Sequence, residues 1–344
     1  MKHKRFVIFG GIAAAVCLII IGILAAVSSS LASEHPSQYA ADRWETKDLP
    51  YTQVSCFVAE DSKFASDSLY SIRKAIDTSL TAQALSPSAG NRIWFDAFST
   101  EEKFSVGADD KKSVSARAFI TGGDYFKIHE MNFISGWHYT DNDIEDDSVV
   151  IDKELAWELF GGYELDGMTL EINGIRCRII GVVESPTGDA DRKAYGKEPT
   201  VFVSYKFAER KGLVTNYSLY EVVIPNPVKG LGIKTVKENV GFGESNCEFV
   251  ENDGRFGLIR SFKTLTNFDA LVQRVNRIYF PYFENSAREL EAKLAFISLL
   301  TLALLLFPVV YICTVLIMLY IDRGIYIEKI KKMFRKKKIK SIRR

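Results

Sequence analysis

Two apolar runs, Phe6 to Val27 and Leu294 to Ile321, sit near opposite ends of a 344-residue chain. Each is longer than the roughly 20 helical residues needed to cross a hydrocarbon core about 30 Å thick. No other stretch is apolar over such a length. A chain with this pattern must present one large domain, residues 28–293, on one side of a membrane, held there by two legs.

The flanking charges set an orientation. Lys2, Lys4 and Arg5 precede the first run, and the segment from Asp322 onward carries eleven basic residues against Asp322 and Glu328. Lys and Arg close to a span stay on the cytoplasmic side. Both termini are therefore expected inside and the middle domain outside. The chain's net charge is +1, of which the first five residues carry +3 and the tail +9, leaving −11 for everything between. An acidic exterior is thus paired with a basic tail. The tail is read first as attracted to anionic lipid, at about 1 kcal/mol per basic residue near the surface. The sharper reading is a contact with a cytoplasmic protein through Arg335, Lys336, Lys337 and Lys338. Nucleic acid is not an expected partner.

Ser30-Leu31-Ala32 offers small residues of the kind a signal peptidase accepts. Signal peptides carry apolar cores of about 7–15 residues, so a retained anchor is favoured over a cleaved leader. Of five cysteines, Cys17 and Cys313 lie in the spans, and Cys56, Cys177 and Cys247 lie outside at wide spacing. At most one exterior disulfide is possible and no zinc spacing appears; reduced, buried thiols are the expectation.

Within the exterior domain, Val54, Cys56 and Val58 alternate with Gln53 and Ser55, a strand pattern over Tyr51 to Ala59. Leu69, Ile72, Ile76 and Leu80 share one helical face over Ser66 to Leu85, and Arg92 to Phe98 returns to strand. A second β-α-β unit comprises Tyr217 to Ile224, a helix from Val228 to Val240 weakened by Gly230 and Gly232, and Cys247 to Val250. Strands are predicted between the two units at Val114 to Ile120, Ser148 to Asp152, Met168 to Ile172, Ile175 to Glu184 and Thr200 to Ser204, with a helix over Lys153 to Phe160. Asn173-Gly174 marks a type I′ hairpin, because both central positions of that turn need positive φ.

The expected fold class is α+β: a membrane-anchored extracytoplasmic domain of split β-α-β units with a β-rich inserted subdomain, flanked by two transmembrane helices. The segments are residues 1–5 (cytoplasmic), 6–27 (first span), 28–293 (exterior), 294–321 (second span) and 322–344 (basic tail). Inside the exterior part, residues 48–113 and 214–260 form the α/β portion, 114–213 the insertion and 261–293 membrane-proximal helices.

Leu265, Phe268, Leu271, Val272 and Val275 recur at helical spacing before Pro281 breaks the pattern. Ser286 and Glu289 have capping-box spacing for a new helix that runs straight into the second span. Such a helix can transmit a push or a twist, or can act only as a spacer. Pro308 lies in mid-span and is expected to kink the second helix, since a proline removes a backbone hydrogen bond.

Catalytic signatures are missing. There is no Gly-x-x-x-x-Gly-Lys-Ser/Thr phosphate loop, no Gly-x-Ser-x-Gly elbow and no His-Glu-x-x-His. His35, His129 and His138 are the exterior histidines; neither His129 nor His138 has metal-ligand spacing to a second histidine, and both read as ordinary core or surface residues. The acidic run Asp141, Asp143, Glu145, Asp146 and Asp147 lacks the glycine and terminal glutamate spacing of a calcium loop, and reads as solvated. Gly161-Gly162 reads as a helix stop, and Trp137, Tyr139 and Trp157 as core. No cofactor or metal is expected, and no enzyme activity.

From Ala118 to Tyr205 the order of short motifs resembles the exterior domain of MacB/FtsX-type ABC transporter permeases. The matching pieces are Gly123-Asp124-Tyr125-Phe126, Ile134-Ser135-Gly136-Trp137, Ser148 to Asp152, Glu154-Leu155-Ala156, Leu159-Phe160-Gly161-Gly162, Asp166-Gly167, Ile172-Asn173-Gly174 and Ile179 to Glu184. Pro281-Tyr282-Phe283-Glu284-Asn285-Ser286-Ala287-Arg288 is similar to a membrane-proximal segment of some of these permeases. The resemblance implies a non-catalytic permease-like subunit that couples a partner ATPase to extracytoplasmic work, such as export of peptides or lipids, or envelope remodelling. Pro281, Tyr282, Phe283, Glu284, Asn285 and Arg288 are the implied coupling segment, and an ABC ATPase and a second permease the implied partners. Full permeases of this kind have four or more membrane helices, so a two-span subunit that assembles with another permease is expected. The alternatives are a membrane-tethered binding or sensing module and, with isolated carboxylates such as Asp141 or Glu184 as its only support, an exterior enzyme.

Overall fold

The computed structural model describes every residue except 1–3, 47–48, 86–91, 109–112, 187, 244, 267–277 and 343–344. The chain divides into two units: residues 1–30 with 293–344, and residues 31–292.

In chain order the helices are α1 (Lys4–Ser33), α2 (Ala40–Trp44), α3 (Leu69–Ala82), α4 (Tyr125–Ile128), α5 (Lys153–Phe160), α6 (Asp189–Tyr195), α7 (Tyr205–Arg210), α8 (Leu231–Asn239), α9 (Leu258–Thr266) and α10 (Tyr282–Ile342). The strands are β1 (Tyr51–Val58), β2 (Phe95–Gly107), β3 (Val114–Gly123), β4 (Phe133–Gly136), β5 (Ser148–Asp152), β6 (Thr169–Ile172), β7 (Ile175–Val183), β8 (Thr200–Ser204), β9 (Leu219–Pro225) and β10 (Cys247–Glu251). All ten join one sheet in the order β10-β1-β9-β2-β3-β8-β5-β7-β4, with β6 pairing β2 and β7.

The two β-α-β units interlock. β1 runs antiparallel to both β10 and β9, and β9 antiparallel to β2. Each unit therefore leaves a gap that a strand of the other fills, the split-βαβ or ferredoxin-like arrangement. The inserted strands extend the same sheet through the pairing of β2 with β3 and the parallel pairing of β3 with β8.

One face of the sheet is covered by α3, α5, α7 and α8. Leu69, Ile72, Ile76 and Leu80 of α3 are all buried there, at the spacing the sequence shows. Gly232 of α8 sits where an added Cβ would lie 2.3 Å from Thr52 Cγ2, so the glycine permits close approach to β1. The helix starts at Leu231 rather than Val228, because Gly230 is left-handed at φ +84°. The strand expected over Arg92 to Phe98 begins only at Phe95 and runs on to Gly107. Trp94 precedes it as a core residue, its indole N–H donating to Asp77 Oδ1 at 2.7 Å. Asn173 and Gly174 have φ of +50° and +79°, as the hairpin requires. Gly161 ends α5 in the left-handed region.

Trp137 and Trp157, read as core, are 64% and 61% exposed, while Tyr139 is buried. Trp157 lies on the outer side of α5, whose Leu155, Ala156 and Leu159 face inward. Trp137 follows the edge strand β4 and stacks on Phe133. In the acidic run, Asp141 departs from the solvated reading, for its carboxylate accepts the Gly123 N–H at 2.9 Å. Cys56, Cys177 and Cys247 are buried free thiols.

Asp152 ends β5, accepts the Leu155 N–H at 2.8 Å as the cap of α5, and accepts the Tyr195 hydroxyl at 3.0 Å. Burial pushes its carboxyl up to about 6, against these hydrogen bonds. A raised acid favours the fold while protonated, and that contribution is lost as pH rises from about 4 through about 6. The Asp152→Asn variant is expected to lose this slope, which amounts to at most about 3 kcal/mol at 1.36 kcal/mol per unit. Melting curves of both proteins between pH 4 and 7 check it; parallel curves would contradict it.

Among the described residues two helical stretches, Arg5–Ser33 in α1 and Tyr282–Ile321 in α10, are long and apolar enough to cross a membrane. Tyr311 Oη donates to the Val7 carbonyl at 2.6 Å. Its ring covers Gly10, where a Cβ would sit 2.4 Å from Tyr311 Cε2. Small residues at such a crossing let helix backbones approach. α10 continues through Pro308 as helix.

Candidate functional site

The second face of the sheet carries α2, α4, α6 and the first turns of α10. Here the apparently outward-facing polar residues of β1 are buried. Glu221 of β9 accepts Ser55 Oγ at 2.9 Å and Gln53 Nε2 at 3.4 Å through Oε1, and meets His129 Nε2 at 2.5 Å through Oε2. Gln53 also accepts the Ala40 N–H at 3.1 Å and donates to the Ser37 carbonyl at 2.9 Å. The segment that follows α1 is thereby tied to the middle of the sheet. The His129 ring packs 4.4 Å from that of Phe283.

α10 begins at Tyr282, one residue after Pro281, whose carbonyl accepts the N–H groups of Glu284 and Asn285 at 3.0 Å. The capping box expected at Ser286 and Glu289 is therefore corrected, since the helix already starts at Tyr282, ahead of both. Proline at its edge ends the preceding segment, and Ser286, now inside the helix, donates back to the Phe283 carbonyl at 3.0 Å. The helix expected from Leu265 to Val275 is described only over Leu258–Thr266; Phe268, Leu271, Val272 and Val275 lie outside the described residues.

Arg255, in the turn after β10, is the centre of the site. Its guanidinium makes a two-armed contact with Glu284 at 2.7 and 2.8 Å, and reaches Glu291 at 3.0 and 3.3 Å and Gln38 Oε1 at 2.9 Å. Arg255 and Glu284 are each 1% exposed at the side chain. Arg288 adds a bond to Glu284 at 2.7 Å and one to Glu248 of β10 at 2.5 Å, and lies 3.9 Å over the Phe280 ring. Burial disfavours the Glu284 carboxylate, but the Arg255 and Arg288 guanidinia outweigh it and hold the carboxyl below the usual range. Burial likewise works against the Arg255 charge, and Glu284 and Glu291 overcome it. Glu284 at the third helical position also complements the positive end of the helix dipole.

The other side of the first turn contacts the insertion. Asp191 of α6 pairs with His35 Nδ1 at 2.9 Å and accepts a hydrogen bond from Ser286 Oγ. Ser286 Oγ lies 3.5 Å from that same Nδ1. A nucleophile relay needs serine and carboxylate on opposite ring nitrogens, so this Ser-His-Asp trio is a clamp. Tyr282 packs edge-on against Tyr195, and the Arg117 guanidinium stacks on Tyr195 at 4.3 Å.

The structure thus gathers Pro281, Tyr282, Phe283, Glu284 and Arg288 at one place, contacted by both the interlocked β-α-β part and the insertion. Asn285 is the exposed member, its Nδ2 donating to the Phe280 carbonyl at 2.8 Å. Sequence reading missed Arg255, Gln38, Glu248, Glu291, Asp191 and His35. A signal for part of this exists. Glu284, Arg288 and Glu291 are spaced to share one helix stripe, and a stripe with two acids entering a core calls for a second cation. The backbone of α10 runs through Arg335, Lys336, Lys337 and Lys338, whose side chains lie outside the described residues.

A family model described as the MacB-like periplasmic core domain matches residues 12–227, more than half of the chain. The chain belongs to this family. It is a permease-type chain of the ABC-transporter class, and a membrane protein with an extracytoplasmic domain. Among solved structures, the extracellular domain of the noncanonic ABC-type transporter YknZ from Gram-positive bacteria is 14% identical at a TM-score of 0.40, covering 55% of this chain and 90% of that one. The periplasmic region of MacB from Actinobacillus actinomycetemcomitans is 16% identical at a TM-score of 0.43, covering 65% and 95%. No curated protein matches the sequence.

Proposed function

We propose that this MacB-like chain is a non-catalytic subunit that couples a partner ABC ATPase to extracytoplasmic work, with α10 as the moving part. One observation carries the reading: a single unbroken helix begins at the Arg255 site and continues through the second apolar run. A rigid helix conveys rotation or translation along its axis. The paired charges at its start commit it to both parts of the exterior domain, so displacement of α10 moves them together or breaks the clamp. Pro281, Tyr282, Phe283, Glu284, Asn285 and Arg288 are the coupling segment in this reading.

The proposal extends to topology and partners. Both termini are cytoplasmic, residues 28–293 lie outside, and the basic tail binds anionic lipid. ATP hydrolysis comes from a separate ATPase, and a second permease completes the membrane part. The work is export of peptides or lipids, or envelope remodelling. Affinity purification of the intact chain from its native membrane in mild detergent, followed by mass spectrometry, tests this. Stoichiometric retention of an ATPase supports coupling. A partnerless protein across several mild detergents, with reciprocal captures also empty, would overturn it.

A further inference from the structure

Asp191 of α6 is a buried carboxylate, 4% exposed at the side chain. Among the described residues His35 is its one ion-pair partner, with Nδ1 at 2.9 Å from Oδ1. Ser286 Oγ reaches the same oxygen, the Phe283 carbonyl and, at 3.5 Å, His35 Nδ1. A hydroxyl has one proton, so Ser286 serves Asp191 or the Phe283 carbonyl at any moment. His35 decides which. A charged ring satisfies Asp191 and leaves Ser286 to the first turn of α10. A neutral ring makes a weaker bond and draws the Ser286 proton to Asp191. Three separate pieces of chain meet at this point, since His35 follows α1 by two residues, Asp191 belongs to the insertion and Ser286 to α10.

Other titratable groups surround the pair. α6 adds Asp189, paired with Arg192, and the segment after α1 adds Glu34, whose carboxylate accepts the Asp189 N–H at 3.2 Å. Glu184, and Glu130 paired with Arg43 at 3.2 Å, line the cavity of about 540 Å³ next to Asp191. In the turn after β10, the Phe256 ring lies 5.7 Å from that of His35, and the adjacent Arg255 is committed to Glu284, Glu291 and Gln38. From α10 comes Tyr282, whose hydroxyl burial pushes up.

Imidazole is the side chain that ordinarily changes charge between pH 5 and 8. We infer that His35 is a proton-operated latch: charged, it fastens the segment after α1, α6 and the first turn of α10 together through Asp191 and Ser286, and neutral, it loosens them. A charge-assisted bond is the stronger one, so the latch is tight in mild acid and slackens as pH rises. The consequence for coupling rests on α10 being the moving part. The latch itself is tested without an ATPase, so the two readings can fail separately.

Hydrogen–deuterium exchange on the detergent-solubilised full chain, expressed as protection factors at pH 6 and pH 8.5, tests the inference. Protection over residues 189–195 and 282–287 is expected to fall about fivefold at the higher pH, as a charge-assisted bond gives way to a neutral one. His35→Gln is expected to leave protection low at both pH values and so to abolish the difference. Asp191→Asn, which removes the buried anion, is expected to abolish it too, and with the wild-type profile decides the matter if His35→Gln fails to fold. His129→Gln breaks the other buried histidine–carboxylate pair and is expected to keep the difference. In that pair Nδ1 is buried with no hydrogen-bond partner among the described residues, so a second ring proton would find no acceptor. Equal wild-type protection at the two pH values, or higher protection at pH 8.5, would overturn the inference. So would a difference that survives both His35→Gln and Asp191→Asn, or one that survives His35→Gln and is lost in His129→Gln.

Discussion

Arg255→Met is expected to destabilise the exterior domain by about 3–5 kcal/mol, the usual consequence of removing one partner from a buried ion pair. Arg255 makes every one of its contacts inside the protein, and without it Glu284 retains only Arg288. At this size the loss corresponds to a fall of roughly 6–20 °C in melting temperature. Arg255→Lys keeps the charge but not the two-armed geometry, and should lie between wild type and Arg255→Met. The effect carries a pH signature. Glu284 has a depressed carboxyl, so its stabilising contribution is present above the ordinary value of 4.5 and is lost as pH falls below that value. The gap between wild type and Arg255→Met should therefore narrow in acid. A constant gap from pH 7 to pH 3 would show that the charges are not the source. A double variant, Arg255→Met with Glu284→Gln, should recover part of the loss, because Glu284 is then no longer a buried charge without its two-armed partner, while Glu291 and Arg288 keep their charges.

The second large effect concerns transmission. Lys293→Pro places a helix breaker after the Arg255 contacts and before the apolar run. Proline at this position loses the bond to the Glu289 carbonyl and clashes with it, at a cost of about 3 kcal/mol or more. That lowers the population of the continuous helix by roughly a hundredfold. The clamp at Glu284 and Glu291 lies upstream, so the exterior domain is expected to stay folded while its response to ATP is lost. Lys293→Ala retains a good helix former and should keep the response to ATP. The comparison is made on the complex captured with its ATPase, with spin labels in the exterior domain reporting distance changes on addition of ATP. An unchanged response in Lys293→Pro would remove α10 from the coupling route.

The fold was legible where one periodicity dominated. Leu69, Ile72, Ile76 and Leu80 announce α3, and Asn173-Gly174 announces the hairpin, because local chemistry decides both. The polar alternation of β1 was legible but misleading. Gln53 and Ser55 look like a solvent face, as in a sheet covered on one side, yet they are buried at 0% and 2% exposure. Their partners, the segment at Ser37 to Ala40, Glu221 and Asn252, come from distant parts of the exterior domain, and sequence periodicity carries no information about such long-range docking. The segment from Pro281 to Arg288 was singled out through its resemblance to a family. Arg255 was not, because nothing in a lone arginine after Asn252-Asp253-Gly254 discloses two glutamates 29 and 36 residues later in the chain. The start of α10 was misplaced for a related reason: Ser286 and Glu289 have the right spacing for a cap, but Ser286 is drawn into the helix by its contacts with Asp191 and the Phe283 carbonyl.

The most direct test of the coupling account is hydrogen–deuterium exchange over residues 281–291 in the chain held with its ATPase, compared without nucleotide and in a vanadate-trapped state. The account predicts that trapping changes protection of the Glu284 to Glu291 amides, together with the turn at Arg255. Identical exchange at both places in the two states, with the ATPase bound and trapped, would contradict it.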